Sequence, residues 1–253
     1  MDEMTFEHNI TGYPQLIVPN IVHYVLFTIH EIEFAHFISI LSVLKNQRPE
    51  IIYIHCDCHQ ISGQYFQRVL KVADKVNTKV IVRYVDKLTE IFGKKLNWIE
   101  WHASDITRIK VLIEFGGIYL DRDVYVVKSL DVFRKYEMTL NWDLNQYLAI
   151  QTIIAHKNAR FLKLILNSFH NYNSNQWYFI GEYPTKTYLW KQPELIHRVL
   201  GGFGADGPLV CPKVFRIYYK NWKTEFYAIH MNLRGNEISW KDWCFGNNSP
   251  VFP

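Results

Sequence analysis

The chain of 253 residues contains no long hydrophobic run, no low-complexity tract and no internal repeat. A membrane-spanning helix needs about 20 consecutive apolar residues, and the chain has neither such a run nor the apolar core of a signal peptide near its start. No linker rich in Pro, Gly or Ser divides it. We therefore expect a soluble chain without a transmembrane segment, folded as a single domain over residues 1–253.

The chain also has little excess of either charge and few cysteines. The net charge is +4, and no stretch concentrates the Lys and Arg that a nucleic-acid-binding face requires, so we expect no nucleic-acid partner. The four cysteines, Cys56, Cys58, Cys211 and Cys244, lack the paired C-x-x-C spacing of structural zinc sites. They allow three full disulfide pairings, among which the sequence does not choose.

Apolar residues, in contrast, are abundant at 49%, and they fall into segments that alternate between strand and helix patterns. This alternation is typical of an α/β domain with a mostly parallel sheet. The predicted strands are 21–27, 51–55, 79–85 and 118–120, and the predicted helices are 33–46, 63–75, 97–115 and 159–170. Residues 124–127 and the apolar stretch 147–154 lie between the last two helices.

The most informative segment is a short strand, Ile118–Leu120, that runs into the carboxylates Asp121 and Asp123. Alternate residues of an extended segment face the same way, so these carboxylates are predicted to converge on one cation while Arg122 points away. Hard divalent ions such as Mg²⁺ and Mn²⁺ favour carboxylate oxygens and accept phosphate oxygens as further ligands. The pair indicates a metal-bridged diphosphate, although a lone Asp-x-Asp is also common on solvated turns.

The predicted helix that precedes this strand carries two charged residues within a stripe that also contains apolar residues. Trp101, Asp105, Arg108 and Leu112 recur at helical spacing, so their side chains lie along one face. Taken alone, Asp105 and Arg108 are equally typical of an ion pair on a helix surface.

The run from Ala103 to Asp123 closely resembles the core of glycosyltransferase family 32 and its relatives, the sugar-binding-region glycosyltransferases that contain a DXD motif. Similar patterns occur in the alpha-1,4-glycosyltransferases of animals and in the glucosylating bacterial toxins. The matching residues are Ala103-Ser104-Asp105, Arg108, Leu112, Gly116-Gly117-Ile118-Tyr119-Leu120-Asp121 and Asp123.

This resemblance implies a GT-A type fold, with a Rossmann-like and mostly parallel central sheet flanked by helices. It also implies a donor nucleotide-sugar half at about 17–130 and an acceptor and lid half at about 131–253. Within the donor half, Asp105 and Arg108 resemble the pair that contacts the donor sugar and its phosphates. Ser104 is their companion, and Tyr119 is predicted to line the same pocket.

The resemblance also implies catalytic roles for the two motif carboxylates. Asp121 resembles the carboxylate that holds the donor ribose or sugar and reaches the metal through water. Asp123 resembles the direct metal ligand. Together with Arg108, these residues form the predicted catalytic set.

A second match lies upstream, where Ile17–Phe27 resembles the opening strand of the family, which carries the nucleotide base. Tyr24, Val25 and Phe27 are therefore predicted to line the base and ribose pocket, although such an apolar run is equally typical of a buried parallel strand. His23 is interpreted as a hydrogen-bonded structural residue.

A third match lies near the end, where Phe226–His230 and Gly235–Lys241 resemble a segment in which a His and a Ser-Trp pair approach the metal and diphosphate. His230 is the predicted third metal ligand beside the two carboxylates, because imidazole nitrogen is a tolerable ligand for Mn²⁺. Ser239 and Trp240 are predicted to close over the donor and exclude water. An ordinary surface loop is the alternative.

These patterns together predict a metal-dependent glycosyltransferase that uses Mn²⁺ or Mg²⁺. It would move a sugar from a nucleotide-sugar donor, UDP-linked in preference to GDP-linked, to a glycan, lipid or protein acceptor. The resembled family retains anomeric configuration, and no carboxylate is placed as a nucleophile. Gln151 stands in the apolar stretch 147–154 where the family more often has Asn, which leaves its contact with the donor open.

Two alternative functions remain at this point: a metal-dependent phosphohydrolase acting on nucleotide sugars and a catalytically silent sugar-binding module. Eukaryotic relatives are usually anchored in the Golgi by a preceding helix. The resemblance therefore implies the Golgi lumen if such an anchor has been removed and the cytoplasm otherwise. The sequence leaves the oligomeric state open.

Overall fold

Strands and helices alternate along the first half of the chain, as the apolar patterns predict. The computed structural model describes residues 7–205, residue 210 and residues 220–231. In chain order the first elements are α1 (Glu7–Ile10), β1 (Ile21–Val25), α2 (Phe34–Asn46), β2 (Ile51–Cys56), α3 (Gln64–Lys75), β3 (Lys79–Tyr84), β4 (Glu90–Ile91), β5 (Lys94–Lys95), α4 (Ile99–Phe115) and β6 (Gly117–Leu120).

The second half has shorter elements joined by irregular segments. They are β7 (Val124–Val126), β8 (Met138–Asn141), β9 (Ala149–Ala155), α5 (Arg160–Ser168), α6 (Phe179–Pro184), β10 (His197–Val199) and β11 (Ala228–His230), with a π-helical turn at Thr185–Leu189 and a one-turn helix at Trp222–Glu225. Within the described ranges, no helix is both long enough and apolar enough to cross a membrane.

Seven strands form one sheet in the order β10-β8-β9-β6-β1-β2-β3. β1 pairs in parallel with β2 and β6, and β2 and β8 pair in parallel with β3 and β10, whereas β9 is antiparallel to both of its neighbours. The predicted α/β class with a mostly parallel central sheet is therefore confirmed. Because β2 and β6 flank β1, the strand order reverses there, and such a switch point opens a crevice at the carboxyl ends of the strands.

The two faces of the sheet cover separate apolar cores. In β1, Tyr24 packs into the core that includes α2 and α3, whereas Val25 packs into the core of α4, α5 and α6. In β6, Ile118 and Leu120 face the first core and Tyr119 faces the second. Both faces of the central strands are thus buried, which explains why these strands are almost uniformly apolar.

Two consecutive glycines join α4 directly to β6. Gly116 ends the helix with a φ of 67°, and its N–H donates to the Leu112 carbonyl at 2.8 Å. Gly117 has a φ of 115°, and a Cβ there would lie 2.6 Å from the carbonyl oxygen of Ile21. A side chain at either position would strain the backbone or push β6 away from β1. The two glycines therefore fix where β6 begins, and with it the position of Asp121 just after its last residue.

The cysteine pairing is partly resolved by the fold. Cys56 and Cys58 form a disulfide with one residue between them, and Cys56 is the last residue of β2. Cys211 and Cys244 lie outside the described residues.

A buried histidine pair links β1 to β2. His23 Nε2 lies 2.8 Å from the carbonyl oxygen of Gly116, and His23 Nδ1 lies 3.0 Å from His55 Nε2. The carbonyl can only accept, so His23 carries its proton on Nε2, and its Nδ1 accepts from His55. Burial lowers the pKa of His23 to about 4 and that of His55 to about 3. His23 is therefore a structural residue, as predicted.

We expect the free energy of unfolding to fall as the pH is lowered from 6.5, the ordinary histidine pKa, toward 4. Unfolded histidines take up protons near the upper value, whereas buried His23 and His55 resist protonation, so acidification favours the unfolded chain. Each histidine contributes up to about 3 kcal/mol over this window. Urea unfolding at about pH 7.5 and about pH 5 measures the difference.

The double variant His23→Gln with His55→Gln is the control. It lacks the two titrating groups, so its stability should change less between the two pH values, even if it is lower throughout. The residual change would come from groups such as His36, whose pKa burial also lowers to about 4. An equally steep loss of stability in the double variant would contradict the explanation.

Candidate active site

The motif carboxylates lie on a turn at the end of β6. Val124 N–H donates to the Asp121 carbonyl at 3.0 Å, and this bond closes a turn over Asp121–Val124. The predicted extended geometry through Asp123 is therefore wrong. The chain leaves the central sheet at this point because Val124 begins β7, which pairs with β11 instead. Arg122, predicted to point away from the carboxylates, lines the same cavity as Asp123.

The turn nevertheless brings the two carboxylates together with a histidine. One ligand atom from each of Asp121, Asp123 and His230 lies within 4.8 Å of the others. His230 Nε2 is 3.2 Å from Asp123 Oδ1, and the pairing of β11 with β7 sets His230 opposite Val124. Two carboxylates and one imidazole form a donor set that fits Mn²⁺ or Mg²⁺.

A buried arginine lies beneath this cluster. Arg108 is 3% exposed, and its Nη2 lies 2.9 Å from Asp105 while its Nη1 lies 3.1 Å from Asp121. Its Nη1 also donates to the Ile150 carbonyl at 3.0 Å. Burial disfavours the charged guanidinium, but the neighbouring carboxylates outweigh this effect and raise the pKa of Arg108 above its ordinary value. The site therefore contains a permanent, fixed positive charge.

Asp121 is held from two sides. Its Oδ1 faces Arg108 and also accepts a hydrogen bond from the Tyr119 hydroxyl at 2.7 Å. Burial raises the pKa of Tyr119 well above the ordinary tyrosine value, so the hydroxyl remains a donor, and the Arg108 guanidinium lies 4.5 Å above the Tyr119 ring. One carboxylate oxygen of Asp121 is thus committed to the protein, and the other is the one that can face a ligand.

Two cavities meet at Arg108 and Asp121. The β1 cavity, of about 80 Å³, lies at the end of β1 and brings together most of the predicted site residues. Those that line it are Val25, Phe27, Ser104, Arg108, Tyr119, Asp121 and Asp123. The β9 cavity, of about 220 Å³, lies on the other side and is lined by Asp105, Gln151 and His230 as well as by Arg108 and Asp121.

One predicted residue, Tyr24, is not brought to this site. Tyr24 lies on the opposite face of β1, 1% exposed, with its hydroxyl 3.1 Å from Ser39 Oγ in α2. Ser239 and Trp240 lie outside the described residues, and their contact with the donor stays a prediction. The functional roles of the residues that do line the cavities also stay predictions.

Sequence reasoning left the contact of Gln151 with the donor open, and the structure places Gln151 in the lining of the β9 cavity. Gln151 is buried, and among the described residues its Nε2 has no hydrogen-bond partner. Two further lining residues escaped the sequence reasoning. Trp177 and Tyr178 also line the β9 cavity, but they lie in an irregular segment without hydrophobic periodicity.

We expect Arg108→Met to lower the free energy of unfolding by about 3 kcal/mol or more, because Asp105 and Asp121 would keep their charges and lose the guanidinium that compensates them. The matched control is Arg83→Met, which breaks the exposed Arg83–Glu114 pair and should cost about 1 kcal/mol or less. Urea unfolding measures both changes.

A variant in which Asp105 and Asp121 are also neutralised separates the loss of stability caused by uncompensated charge from the loss caused by altered packing. A triple variant that adds Asp105→Asn and Asp121→Asn to Arg108→Met should recover part of the lost stability, since no unpaired charge remains. Equal losses for Arg108→Met and Arg83→Met would show that the buried ion pairs do not stabilise the site.

The sequence comparisons concern the segment that carries the site. Residues 41–145 match the family described as glycosyltransferase sugar-binding region containing DXD motif. Glucan organizing enzyme 1 of Cryptococcus neoformans var. grubii serotype A is 26% identical over 180 residues, which cover 64% of this chain and 47% of that protein. The matched region thus spans about half the length of this curated relative.

The structural comparisons also find glycosyltransferases. The PaToxG glycosyltransferase has a TM-score of 0.48 at 17% identity, covering 87% of this chain and 83% of that chain. A galactosyltransferase, LgtC, in complex with donor and acceptor sugar analogues has a TM-score of 0.44 at 12% identity, covering 83% and 86%.

The matched family segment contains the helix with Asp105 and Arg108 and the turn with Asp121 and Asp123. Over residues 41–145 the chain is therefore similar to the glycosyltransferase sugar-binding region that contains a DXD motif.

Proposed function

We propose that this chain transfers a sugar from a nucleotide-sugar donor to a glycan, lipid or protein acceptor in a metal-dependent reaction. A UDP-sugar is favoured over a GDP-sugar, and the anomeric configuration is retained. The observation that carries the proposal is the ion-paired Arg108, which holds Asp105 and Asp121 beside the Asp123–His230 pair where the two cavities meet.

Asp123, His230 and the outward oxygen of Asp121 would hold Mn²⁺ or Mg²⁺. When bound, such an ion supplies Lewis-acid neutralisation of the charge that develops on the departing diphosphate. The carboxylates suit this role because Asp121 is already oriented by Arg108 and Tyr119, so little reorganisation accompanies binding.

Arg108 supplies positive charge that does not depend on pH. Its guanidinium is fixed between two carboxylates and a backbone carbonyl and lines both cavities, so its charge is already oriented before a diphosphate binds. Arg122, exposed at the rim of the β1 cavity, adds a second cation on the nucleotide side. Val25 and Phe27 give the same cavity an apolar wall that suits a flat base.

The β9 cavity is assigned to the transferred sugar. It offers the Asp105 carboxylate and the Gln151 amide, whose buried Nε2 lacks a protein partner in the described part of the chain. Burying an amide donor without a partner costs free energy, and a sugar hydroxyl is an acceptor of suitable chemistry. Gln151 is therefore assigned as a contact of the donor sugar.

The ion pairing of the site carboxylates supports retention of the anomeric configuration without a covalent glycosyl-enzyme intermediate. Asp105 and Asp121 both line the β9 cavity, and both are ion-paired with Arg108, which withdraws electron density from an attacking oxygen. Gln151 is not ionisable. The working mechanism is front-face displacement, in which the acceptor hydroxyl attacks from the side on which the diphosphate leaves.

Calorimetric titration of UDP and GDP, each with Mn²⁺ and again with chelator, tests metal, diphosphate and base together. We expect Mn²⁺-dependent binding of UDP that is tighter than that of GDP. Release of UMP and sugar 1-phosphate from UDP-sugars would favour the phosphohydrolase, and binding without any turnover would favour the silent sugar-binding module. No binding of either nucleotide would refute the proposal.

Asp123→Asn should remove the Mn²⁺ dependence of UDP binding, weakening binding in the presence of Mn²⁺ at least about tenfold, because a hard cation needs the carboxylate charge. Asp74→Asn, on the exposed face of α3, is the matched control and should bind like the unmodified chain. Unchanged Mn²⁺ dependence in Asp123→Asn would exclude that residue as a ligand.

Gln151→Leu should lower kcat for sugar transfer by about tenfold or more, because a hydrogen bond to the donor sugar is lost at similar side-chain volume. Calorimetric affinity for UDP with Mn²⁺, which lacks the sugar, should stay the same. A parallel loss of UDP affinity would place Gln151 against the nucleotide instead.

A further inference from the structure

Three exposed tryptophans stand at the mouth of the β9 cavity. Trp98, Trp101 and Trp177 are 39%, 36% and 43% exposed, although indole rings are usually largely covered. The ring centroids of Trp98 and Trp101 each lie 5.2 Å from that of Trp177, in edge-to-face orientation. Together these three residues form what is called the tryptophan wall below.

The wall is continuous with the site. Trp101 and Trp177 line the β9 cavity with Asp105 and Gln151, and Trp101 also lines the β1 cavity. Trp98 extends the same aromatic surface outward from Trp177. A molecule that reaches Asp105 from solvent on this side therefore passes along the wall.

The backbone conformation at Trp98 and the hydrogen bonds of His102 hold the wall in place. Trp98 immediately precedes α4 in the left-handed conformation, with φ 46° and ψ 52°, which is unfavourable for a bulky residue and is maintained only by its surroundings. His102, one turn along the helix, has both ring nitrogens engaged: Nε2 lies 2.9 Å from the Trp177 carbonyl and Nδ1 lies 2.5 Å from the Tyr172 hydroxyl.

These bonds form a consistent chain. The Trp177 carbonyl can only accept, so His102 donates from Nε2 and accepts from Tyr172 at Nδ1. The Tyr172 oxygen in turn accepts from Asn97 N–H at 3.3 Å, and Asn97 Nδ2 donates to the Ser174 carbonyl at 2.9 Å. The segment that carries Trp177 is thereby tied to the start of α4, which fixes the backbone that bears the exposed rings.

We infer that the tryptophan wall is the binding site for the acceptor and that the acceptor is a saccharide whose ring packs against an indole face. Sugar rings present apolar C–H faces together with hydroxyl groups, and rigid indoles cover such faces at low cost in conformational entropy. Each tryptophan of the wall keeps more than a third of its surface exposed, which suits a glycan that extends from the cavity. This inference rests on the proposed function and narrows its acceptor from glycan, lipid or protein to carbohydrate.

Trp98 assigns the outer end of the wall to the acceptor, whereas Trp101 and Trp177 also border the cavity proposed for the donor sugar. The donor sugar is linked to the diphosphate, which the proposed site holds at Asp121 and Asp123, and neither cavity lining includes Trp98. A ligand stacked on Trp98 is outside the cavity lining and therefore belongs to the second substrate.

A glycan array probed with the labelled full chain, in the presence of UDP and Mn²⁺, tests the inference. We expect binding to at least one class of oligosaccharide and at least about tenfold weaker binding by Trp98→Ala and by Trp177→Ala. Trp190→Ala is the matched control, because Trp190 is 60% exposed and lies outside the lining of both cavities. Calorimetric affinity for UDP with Mn²⁺ should be unchanged in all three variants, which shows that each is folded.

The outcomes separate this inference from the proposed function. An unmodified chain that binds UDP but no glycan, or tryptophan variants that bind glycans as well as the unmodified chain does, would overturn the acceptor site while leaving the donor site intact. Wall-dependent binding to phosphatidylcholine vesicles in place of glycans would also overturn it. Wall-dependent glycan binding without any nucleotide binding would refute both the transferase and the acceptor role.

Discussion

The structure depends on one buried cation that must be neutralised where it lies. Arg108 sits between α4 and the end of β6, and its guanidinium is compensated by one carboxylate from each, Asp105 and Asp121. A charge in this position is tolerated only if it is paired and hydrogen-bonded, so the helix, the motif turn and the Ile150 carbonyl of β9 must meet in one arrangement. The groups that satisfy this requirement are the same groups that face the two cavities. Stability and the chemistry of the site are therefore not independent here.

The remaining site residues are brought in by topology rather than by sequence proximity. Because the strand order reverses at β1, the carboxyl ends of β1 and β6 open the crevice in which Val25, Phe27 and Asp121 meet. The short pairing of β7 with β11 then returns the chain to the same place, and it is this ribbon that sets His230 against Asp123.

Much of this could be predicted from local pattern, and the exceptions have identifiable causes. The stripe of Trp101, Asp105 and Arg108 follows from helical spacing, and all three residues line the site. The turn at Asp121 could not be predicted in the same way. The chain leaves β6 there in order to pair, through β7, with β11, which comes from a distant segment of the sequence. The position of Tyr24 next to Val25 in sequence predicts that both line the pocket, but adjacent residues of a strand face opposite cores. Trp177 lies in a segment without periodicity, where sequence carries no signal about neighbours.

The division of the crevice by Arg108 and Asp121 has a mechanistic consequence. If the base occupies the β1 cavity and the sugar the β9 cavity, the diphosphate must cross the boundary between them, which places the bond that breaks above the fixed guanidinium. Charge then develops where positive charge is already oriented, so the protein reorganises little during the reaction. Removing water from the same boundary strengthens this interaction, and the acceptor bound along the tryptophan wall would cover the cavity at that moment. In this arrangement the arrival of the second substrate completes the low-dielectric environment on which the charge stabilisation depends, which couples acceptor binding to bond cleavage and disfavours transfer to water.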